Sequence, residues 1–273
     1  MKGLFSILGL ALALNSAAQQ HSLVKLWESD TTLAVPESVL PHPTQNLLYV
    51  SLIDGSPWDK DGKGGVALLD TTGKIVNATW ATGLHAPKGM ALVGNLLYVA
   101  DVTDVAVIDA NTGKTVLRIA VEGSEMLNDI TANNAGTVYV SDSKTGKVHS
   151  ISGNNPALFL HALQGVNGLR AHGGDLYVAT SKQLLKANVS GTLSVVADTE
   201  MGGDGIEPTA DGGWLLSSWS GTLYHIHTRG KSHLLLDTRV EKKNTPDIGY
   251  DPKSRVVYVP TFFAKSVVAY RLQ

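Results

Sequence analysis

Six polar residues recur at one position of a repeated segment, and together they could hold a cation. In chain order they are Glu37, Lys88, Asn128, Asn167, Asp204 and Asp247. Carboxylate and amide oxygens are the ligands that hard cations such as Ca²⁺, Mg²⁺ and Mn²⁺ prefer. Because the set contains neither His nor Cys, it does not suit Zn²⁺. The residue types therefore predict a hard divalent cation, with Ca²⁺ as the first candidate.

The charges of this set also favour a ligand. Glu37, Asp204 and Asp247 with Lys88 give a net charge of −2, and carboxylates in a partly desolvated cavity raise one another's pKa. A cation would relieve that repulsion. The alternative is that the six side chains bind one another or water and so lock neighbouring structural units together, as buried polar groups must. A pocket with convergent polar groups favours the ligand site.

Each polar residue lies 10 to 12 residues before an apolar and aromatic segment that is typical of a buried strand. The six copies are LLYVS around Tyr49, LLYVA around Tyr98, TVYVS around Tyr139, LYVAT around Tyr177, WLLSS around Leu215 and VVYVP around Tyr258. They are spaced 38 to 49 residues apart, which is the period of a propeller blade. Since equivalent positions of rotationally related strands form a ring, the polar residues should converge at one end of the central channel.

Residues 127–164 show the complete unit, with four short extended runs separated by turn sequences. Four strands at this period predict an all-β, six-bladed β-propeller of four-stranded blades. The last copy, from Asp247 onwards, supplies only three strands, whereas residues 21–27 have strand character without partners of their own. We therefore expect the N-terminal strand to join the last blade and close the ring, which removes exposed sheet edges.

Residues 1–18 have the pattern of a secretory signal peptide, with Lys2, an apolar run and small residues up to Ala18. Residues 19–273 then form one propeller domain, at about 42 residues per blade. The expected location is periplasmic or extracellular, and the apolar run is too short to span a bilayer. The chain has no cysteine and a net charge of −2. A small-molecule substrate or ligand is thus favoured over nucleic acid or membrane partners.

The order of Glu, Asn, Asn and Asp on successive inner strands resembles that of the regucalcin and gluconolactonase family, over essentially all of residues 19–273. The quoted matches are PESVLPHPTQNLLYVS, MLNDITANNAGTVYVSD, VNGLRAHGGDLYVA and GDGIEPTADGGWLLSSW. The resemblance implies a six-bladed propeller with a divalent cation in the channel mouth. It implies that Glu37, Asn167 and Asp204 are metal ligands, that Asp204 is also the catalytic acid or base, and that Asn128 lines the substrate site.

Departures from the family pattern concern the substrate. Met126 stands where the family has a sugar-contacting Arg, and Lys88 has no family counterpart. Lys88 could hold a substrate carboxylate or a developing oxyanion, or it could pair with Asp247. The predicted function is an exported, metal-dependent hydrolase of lactone-like or related ester substrates. The alternative is a non-enzymatic propeller that binds a small ligand, glycan or protein on the same face.

Two weaker metal patterns occur elsewhere in the chain. Residues 54–65 form a long loop in which Asp59, Asp61 and Asp70 fall at EF-hand positions, but Lys63 occupies a position that needs an oxygen ligand. A solvated hairpin extension is the favoured interpretation. His225 and His227 alternate on a predicted strand, but two histidines without a third ligand make an incomplete site.

Overall fold

The computed structural model describes residues 21–273, in which 24 strands form six separate four-stranded sheets. All strand pairs within the sheets are antiparallel. The one helical element in this part of the chain is a 3₁₀ turn at Phe262–Ala264. No helix within residues 21–273 is long and apolar enough to cross a membrane. The predicted six-bladed propeller is confirmed, whereas the predicted signal peptide lies outside the described residues.

The first three blades each use four consecutive strands, ordered from the channel outwards. Blade one contains β2 to β5, which span Pro36–Pro41, Leu47–Leu52, Gly64–Asp70 and Ile75–Leu84. Blade two contains β6 to β9, which span Pro87–Val93, Leu96–Asp101, Asp104–Asp109 and Thr115–Ala120. Blade three contains β10 to β13, which span Leu127–Ala132, Val138–Asp142, Lys147–Ser152 and Asn155–Leu160.

The next two blades repeat the plan with shorter inner strands. Blade four contains β14 to β17, which span Leu169–His172, Asp175–Ala179, Gln183–Ala187 and Leu193–Asp198. Blade five contains β18 to β21, which span Ile206–Pro208, Trp214–Ser218, Thr222–Ile226 and Ser232–Asp237. Blade six contains β22, β23 and β24, which span Gly249–Asp251, Val256–Pro260 and Val267–Leu272, together with β1 at Leu23–Glu28.

Blade six closes the ring in the way that the sequence predicts. The N-terminal strand β1 is its outermost strand and pairs antiparallel with β24, with Leu23 opposite Leu272. The backbone N–H of Gln273 donates to the carbonyl oxygen of Ser22 at 2.9 Å. Both ends of the described chain therefore belong to one sheet, and loss of either strand would open the ring.

The cores lie between neighbouring blades, because each sheet buries both faces against the sheets beside it. The apolar and aromatic segments identified in the sequence are the second strand of each blade, and they are almost wholly buried. Leu48 and Val50 pack with Val267 and Ala269 of blade six, for example. The packing of these faces fixes how far each inner strand extends into the channel and thus where its polar residue lies.

Candidate active site at the channel mouth

The polar residues of the first three blades are directed into the channel by β-bulges. The pairing of the innermost strand with the second strand shifts between Pro36 and Val39 in blade one, and between Pro87 and Met90 in blade two. Blade three has the same irregularity near Leu127. A bulge adds a residue to one strand and turns side chains away from their regular alternation. Glu37, Lys88 and Asn128 lie at these bulges.

Serine side chains on the second strands hold two of the bulges in place. The Oγ of Ser51 accepts a hydrogen bond from the backbone N–H of Ser38 at 3.0 Å. In blade three, Ser141 Oγ accepts the N–H of Asp129 at 3.0 Å. These backbone groups would otherwise be buried without partners where the ladder is interrupted. The serine of the YVS motif is thus part of what positions the polar residue.

Five of the six predicted site residues line one pocket of about 300 Å³. The ring residues in its wall are Glu37, Lys88, Asn128, Asn167 and Asp204. The remaining wall comes from loops at the same end of the channel and comprises Ile53, Pro57, Trp58, Trp219, Phe262 and Phe263. We call this space the mouth pocket. The predicted convergence of these five side chains at one end of the channel is therefore found in the structure.

Asp247 lies apart from the mouth pocket. It lines a second cavity of about 360 Å³, further along the inner strands, together with Arg170 and Glu207. The hydroxyl of Ser38 donates to Asp247 Oδ2, and the Asp247 N–H donates to the Glu37 carbonyl oxygen at 3.2 Å. The expectation that all six residues meet at one end is wrong for Asp247, because the hydrogen bond from the Ser38 hydroxyl holds its carboxylate in the second cavity.

Three buried oxygen atoms of the mouth pocket have no hydrogen-bond partner within residues 21–273. They are Glu37 Oε2, Asn167 Oδ1 and Asp204 Oδ1. These residues are the three that the sequence pattern assigns as metal ligands. A buried acceptor without a donor costs about 1 to 3 kcal/mol, so three of them in one pocket indicate that a ligand with positive charge or N–H and O–H donors belongs there. These three oxygen atoms are the kind of metal ligand that a hard divalent cation prefers.

The pKa values of the carboxyls in and beside the pocket are all raised. Burial, followed by the charge of Asp204, raises the pKa of Glu37 well above its usual range. Burial, followed by the charge of Asp247, raises the pKa of Asp204 to about 8, against the effect of a side-chain hydrogen bond from Asn167. Burial also raises the pKa of Asp247, to about 6. These carboxyls are costly to ionise together unless a cation is present.

Lys88 is held by the long loop rather than by Asp247. Its Nζ donates to the carbonyl oxygens of Pro57 at 2.5 Å and Ala86 at 3.1 Å. The ammonium also lies 3.9 Å from the centre of the Trp58 ring, which is a cation–π contact. Burial lowers the pKa of Lys88 to about 8, although the nearby Glu37 charge opposes this. Of the two alternatives for Lys88, pairing with Asp247 is not found, and loop contacts hold the ammonium instead.

The long loop is a wall of the pocket and has no calcium-loop geometry. Asp61 Oδ1 accepts the N–H of Lys63 at 3.1 Å, within a local turn. Asp70 lies at the end of β4, where its carboxylate accepts N–H groups of the following turn. The solvated hairpin extension favoured from the sequence is consistent with these contacts. Its role here is to supply Pro57 and Trp58 to the mouth pocket.

An aromatic wall on the opposite loops was not anticipated from the sequence. Trp219 packs edge-on against Phe262 and Phe263, with ring centres 5.7 Å and 6.3 Å apart. Phe263 remains 65% exposed and Trp219 45% exposed. These residues follow the second strands of blades five and six, so aromatic residues in those two loops were the available signal. We refer to Trp219, Phe262 and Phe263 as the aromatic wall.

Asn128 completes the polar side of the pocket. Its Nδ2 donates to Ser143 Oγ at 3.0 Å, which fixes the orientation of the amide. Asn128 is buried, as are Glu37, Lys88 and Asp204, whereas Asn167 is half-buried. The mouth pocket thus combines two carboxyls, two amides and one ammonium on one side with aromatic rings on the other.

The sequence matches no protein-family model and no curated protein. Solved structures match over most of the chain. A gluconolactonase from Xanthomonas campestris is 15% identical with a TM-score of 0.68, and the match covers 92% of this chain and 89% of that one. A putative gluconolactonase is 14% identical with a TM-score of 0.69, and the match covers 93% of both chains.

Lyases share the same architecture. A streptogramin B lyase is 9% identical with a TM-score of 0.69, and the match covers 93% of this chain and 98% of that one. At these identities the likeness concerns the fold, because one propeller architecture carries many functions. The structural neighbours of this chain thus include gluconolactonases, which confirms the resemblance at the level of the six-bladed fold.

Proposed function

We propose that this chain is a metal-dependent hydrolase of lactone-like or related ester substrates that acts at the mouth pocket. The observation that carries the proposal is the set of three unpartnered buried oxygens on Glu37, Asn167 and Asp204. The fold shared with gluconolactonases supports it. The pocket volume of about 300 Å³ is sufficient for a small molecule.

The cation would be held by Glu37, Asn167 and Asp204. Three oxygen ligands leave further positions for water and substrate, which suits Ca²⁺, and Mg²⁺ or Mn²⁺ as the other hard candidates. When bound, such a cation supplies Lewis-acid polarisation of a substrate carbonyl. The same cation would satisfy the acceptors that are otherwise buried without a donor.

Asp204 is the proposed acid and base. In hydrolysis a water oxygen bonds to the acyl carbon, and the water proton passes to the Asp204 carboxylate. The acyl C–O bond then breaks, and Asp204 returns the proton to the departing alkoxide oxygen, so that atoms and charge balance. Without a cation the pKa of Asp204 is about 8. The cation that Asp204 would help to hold lowers this pKa, so that the carboxylate can accept the water proton near neutral pH.

Lys88 and Asn128 would orient the substrate. An ammonium has three N–H donors, and Lys88 uses two of them for the carbonyl oxygens of Pro57 and Ala86. The third can donate to a substrate oxygen, or to the oxyanion that forms as water adds. The Asn128 amide is fixed by Ser143 and presents its carbonyl oxygen as a second polar contact.

A cation titration tests the first half of the proposal. Chelator-stripped protein is unfolded thermally with increasing Ca²⁺, Mg²⁺ or Mn²⁺, since a ligand of the native state raises the midpoint as its concentration rises. We expect a saturable rise in the wild type that Asp204→Ala abolishes. The exposed Asp30 provides the control, because Asp30→Ala removes a carboxylate that does not line the pocket. A wild-type midpoint that no cation moves would contradict the metal site.

Turnover tests the second half. Asp204→Asn keeps the shape and one oxygen but cannot exchange a proton, so we expect it to fold normally and to lose at least 100-fold in kcat. A panel of lactones and aryl esters provides the substrates. Product analysis in isotopically labelled water separates hydrolysis from elimination, which matters because the fold is shared with a streptogramin B lyase. Unchanged turnover in Asp204→Asn would remove its assigned role.

The rival function is a non-enzymatic propeller that binds a ligand at the same pocket. The exposed rings of Trp219 and Phe263 favour it, because such rings commonly mark a binding surface. A binding module predicts ligand affinity that survives chelation, whereas the enzyme needs the cation and Asp204 together. We also propose export, on the signal-peptide pattern of residues 1–18.

A further inference from the structure

A second group of metal-ligating side chains lies away from the channel, where blades five and six meet. His21, Asp211 and His225 each offer one ligand atom, and these three atoms lie within 4.8 Å of one another. Asp211 Oδ2 is 3.1 Å from His21 Nε2 and 3.5 Å from His225 Nε2. The two imidazole rings pack edge-on with centres 4.3 Å apart. The sequence offered only His225 with His227, whereas the fold supplies His21 and Asp211 from distant segments.

The outer contacts of His21 orient its ring for a cation. Its Nδ1 lies 2.8 Å from the backbone carbonyl oxygen of Gln273. A carbonyl oxygen can only accept, so Nδ1 carries a proton and Nε2 is the ring nitrogen that faces the Asp211 carboxylate. At 3.1 Å a proton on Nε2 can bridge this nitrogen and Asp211 Oδ2, and a metal ion can take the place of that proton. A histidine whose second nitrogen donates to a carbonyl is the usual arrangement at a metal.

The contacts of Asp211 and His225 indicate the same metal position between the three side chains. Asp211 Oδ1 accepts from Thr209 Oγ1 at 2.5 Å and from the N–H of Gly213 at 3.3 Å, which leaves Oδ2 for the histidines. His225 Nε2 also lies 3.3 Å from Thr209 Oγ1, to which it can donate in the absence of a metal. A Cβ at Gly213 would lie 2.6 Å from this nitrogen, so glycine keeps the space open.

We propose that His21, Asp211 and His225 form a binding site for a divalent transition metal such as Zn²⁺, separate from the mouth pocket. Two imidazoles and a carboxylate suit Zn²⁺ and its neighbours, whereas Ca²⁺ and Mg²⁺ prefer oxygen ligands alone. The ligand atoms of tetrahedral zinc lie roughly 3.3 Å apart, which a small rotation of the partly exposed His21 ring achieves. An adjoining cavity of about 370 Å³ leaves the fourth position accessible to water.

A metal bound at this site would stabilise the closed ring of the propeller. His21 lies two residues before β1, the strand that completes blade six, whereas Asp211 and His225 belong to blade five. The carbonyl that orients His21 belongs to Gln273, the last residue of the chain. A metal bound by these three residues therefore ties both ends of the described chain to the neighbouring blade. Because the metal binds only the closed ring, its binding adds to the stability of that ring.

Zn²⁺ and Co²⁺ are the probes for this site, on chelator-stripped full-length protein at neutral pH. We expect one Zn²⁺ per chain by calorimetry, a rise in the unfolding midpoint with Zn²⁺, and the ligand-field absorption of Co²⁺ bound to histidine. His21→Ala and His225→Ala should each weaken Zn²⁺ affinity by roughly tenfold or more. His227→Ala is the matched control, because His227 lies beside His225 but hydrogen-bonds with Thr228.

Asp204→Asn separates this site from the mouth pocket and should leave Zn²⁺ binding unchanged. His21→Ala should disturb the fold less than His225→Ala, because the His21 side chain is less buried. Unfolding midpoints measured without metal report whether each variant is folded. Zn²⁺ binding that survives both His21→Ala and His225→Ala, or that is lost in Asp204→Asn, would overturn the assignment. A wild type that binds no Zn²⁺ would overturn it as well.

Discussion

A Cβ at Gly168 would lie 1.6 Å from the carbonyl oxygen of Asp204, so these two residues occupy a space that no side chain can enter. Gly168 directly follows Asn167, and its backbone packs against Asp204, which lies two residues before the next inner strand, β18. The close approach brings together two of the three unpartnered oxygens of the mouth pocket. Gly168 itself would not contact the cation, but its lack of a side chain determines where the two proposed metal ligands, Asn167 and Asp204, lie.

Gly168→Ala should therefore damage both the fold and the cation site. The added methyl group must displace the Asp204 backbone, and overpacking of this kind costs about 1 to 3 kcal/mol in the free energy of unfolding. Gly202→Ala is the control, since the nearest atom to its Cβ would be 3.6 Å away. Urea unfolding with and without Ca²⁺ measures both effects. Equal midpoints for the two variants would contradict the steric argument.

Ser217 should support Asp204 from the second strand of blade five. Its Oγ accepts the N–H of Gly205 at 2.8 Å and donates to the Pro246 carbonyl oxygen at 2.6 Å, entirely buried. Ser217→Ala leaves both backbone groups without a partner, and we expect a loss of about 1 to 3 kcal/mol in unfolding free energy with weaker cation binding. Ser194→Ala, at an exposed position, serves as the comparison in the same denaturation series.

The period of the tyrosine-containing strands was enough to predict the blade number, the four-stranded blades and the closing role of residues 21–27. These features depend on local pattern and chain length. The ring positions of Glu37, Asn167 and Asp204 could also be predicted, because a fixed offset from the anchor strand maps to one height in the channel. Local regularity explains the success in each case.

Other features depend on contacts between distant segments. The hydrogen bond from Ser38 that holds Asp247 in the second cavity joins residues 209 positions apart, and Lys88 depends on Pro57 in an irregular loop. The aromatic wall forms where two loops from different blades meet. His21 and Asp211 are 190 positions apart in the chain. No periodic pattern records such pairs, so the sequence could not indicate them.

Removal of the Lys88 charge should strengthen cation binding while weakening the fold. Glu37 is the charged group that affects Lys88 most strongly, so its ammonium opposes a cation held by Glu37. We expect Lys88→Met to raise Ca²⁺ affinity by about tenfold, which corresponds to about 1.4 kcal/mol. It should also lower stability by about 1 to 3 kcal/mol, because the carbonyl oxygens of Pro57 and Ala86 lose their donor. Calorimetric titration and urea unfolding check the two effects. Reduced Ca²⁺ affinity in this variant would show that Lys88 supports the cation site.

The aromatic wall should determine preference for substrates with an apolar face. Phe263→Ala removes a ring that is 65% exposed, so we expect a stability change below about 1 kcal/mol. KM for an aryl ester should rise by roughly tenfold, and KM for a matched methyl ester should change less. Val240→Ala, at a residue that is 94% exposed, is the control. A ratio of the two KM values that stays constant in Phe263→Ala would exclude the ring from the substrate site.

Glu207 in the second cavity contributes to a pH dependence of stability, to which Asp204 and Asp247 also contribute because burial raises their pKa values as well. Burial raises the pKa of Glu207 from 4.5 to about 7, although the Arg170 guanidinium, 3.1 Å away, opposes the rise. Between these pH values the native protein keeps a proton that the unfolded chain has released. Stability from this group is therefore complete below pH about 4.5 and is lost as pH rises through about 7, a change on the order of 3 kcal/mol.

Glu207→Gln mimics the protonated side chain and should flatten this decline. Urea unfolding over the same pH interval, with chelator present so that no cation contributes, measures it. The pH profile of Glu122→Gln, an exposed acidic position, gives the background. Because Gln can still accept a hydrogen bond from Arg170, the variant should fold and differ chiefly in slope. Two results would contradict this prediction: a wild-type stability that rises between pH about 4.5 and about 7, and a Glu207→Gln slope equal to that of the wild type. Either result would mean that Glu207 ionises in the folded protein as readily as in the unfolded chain.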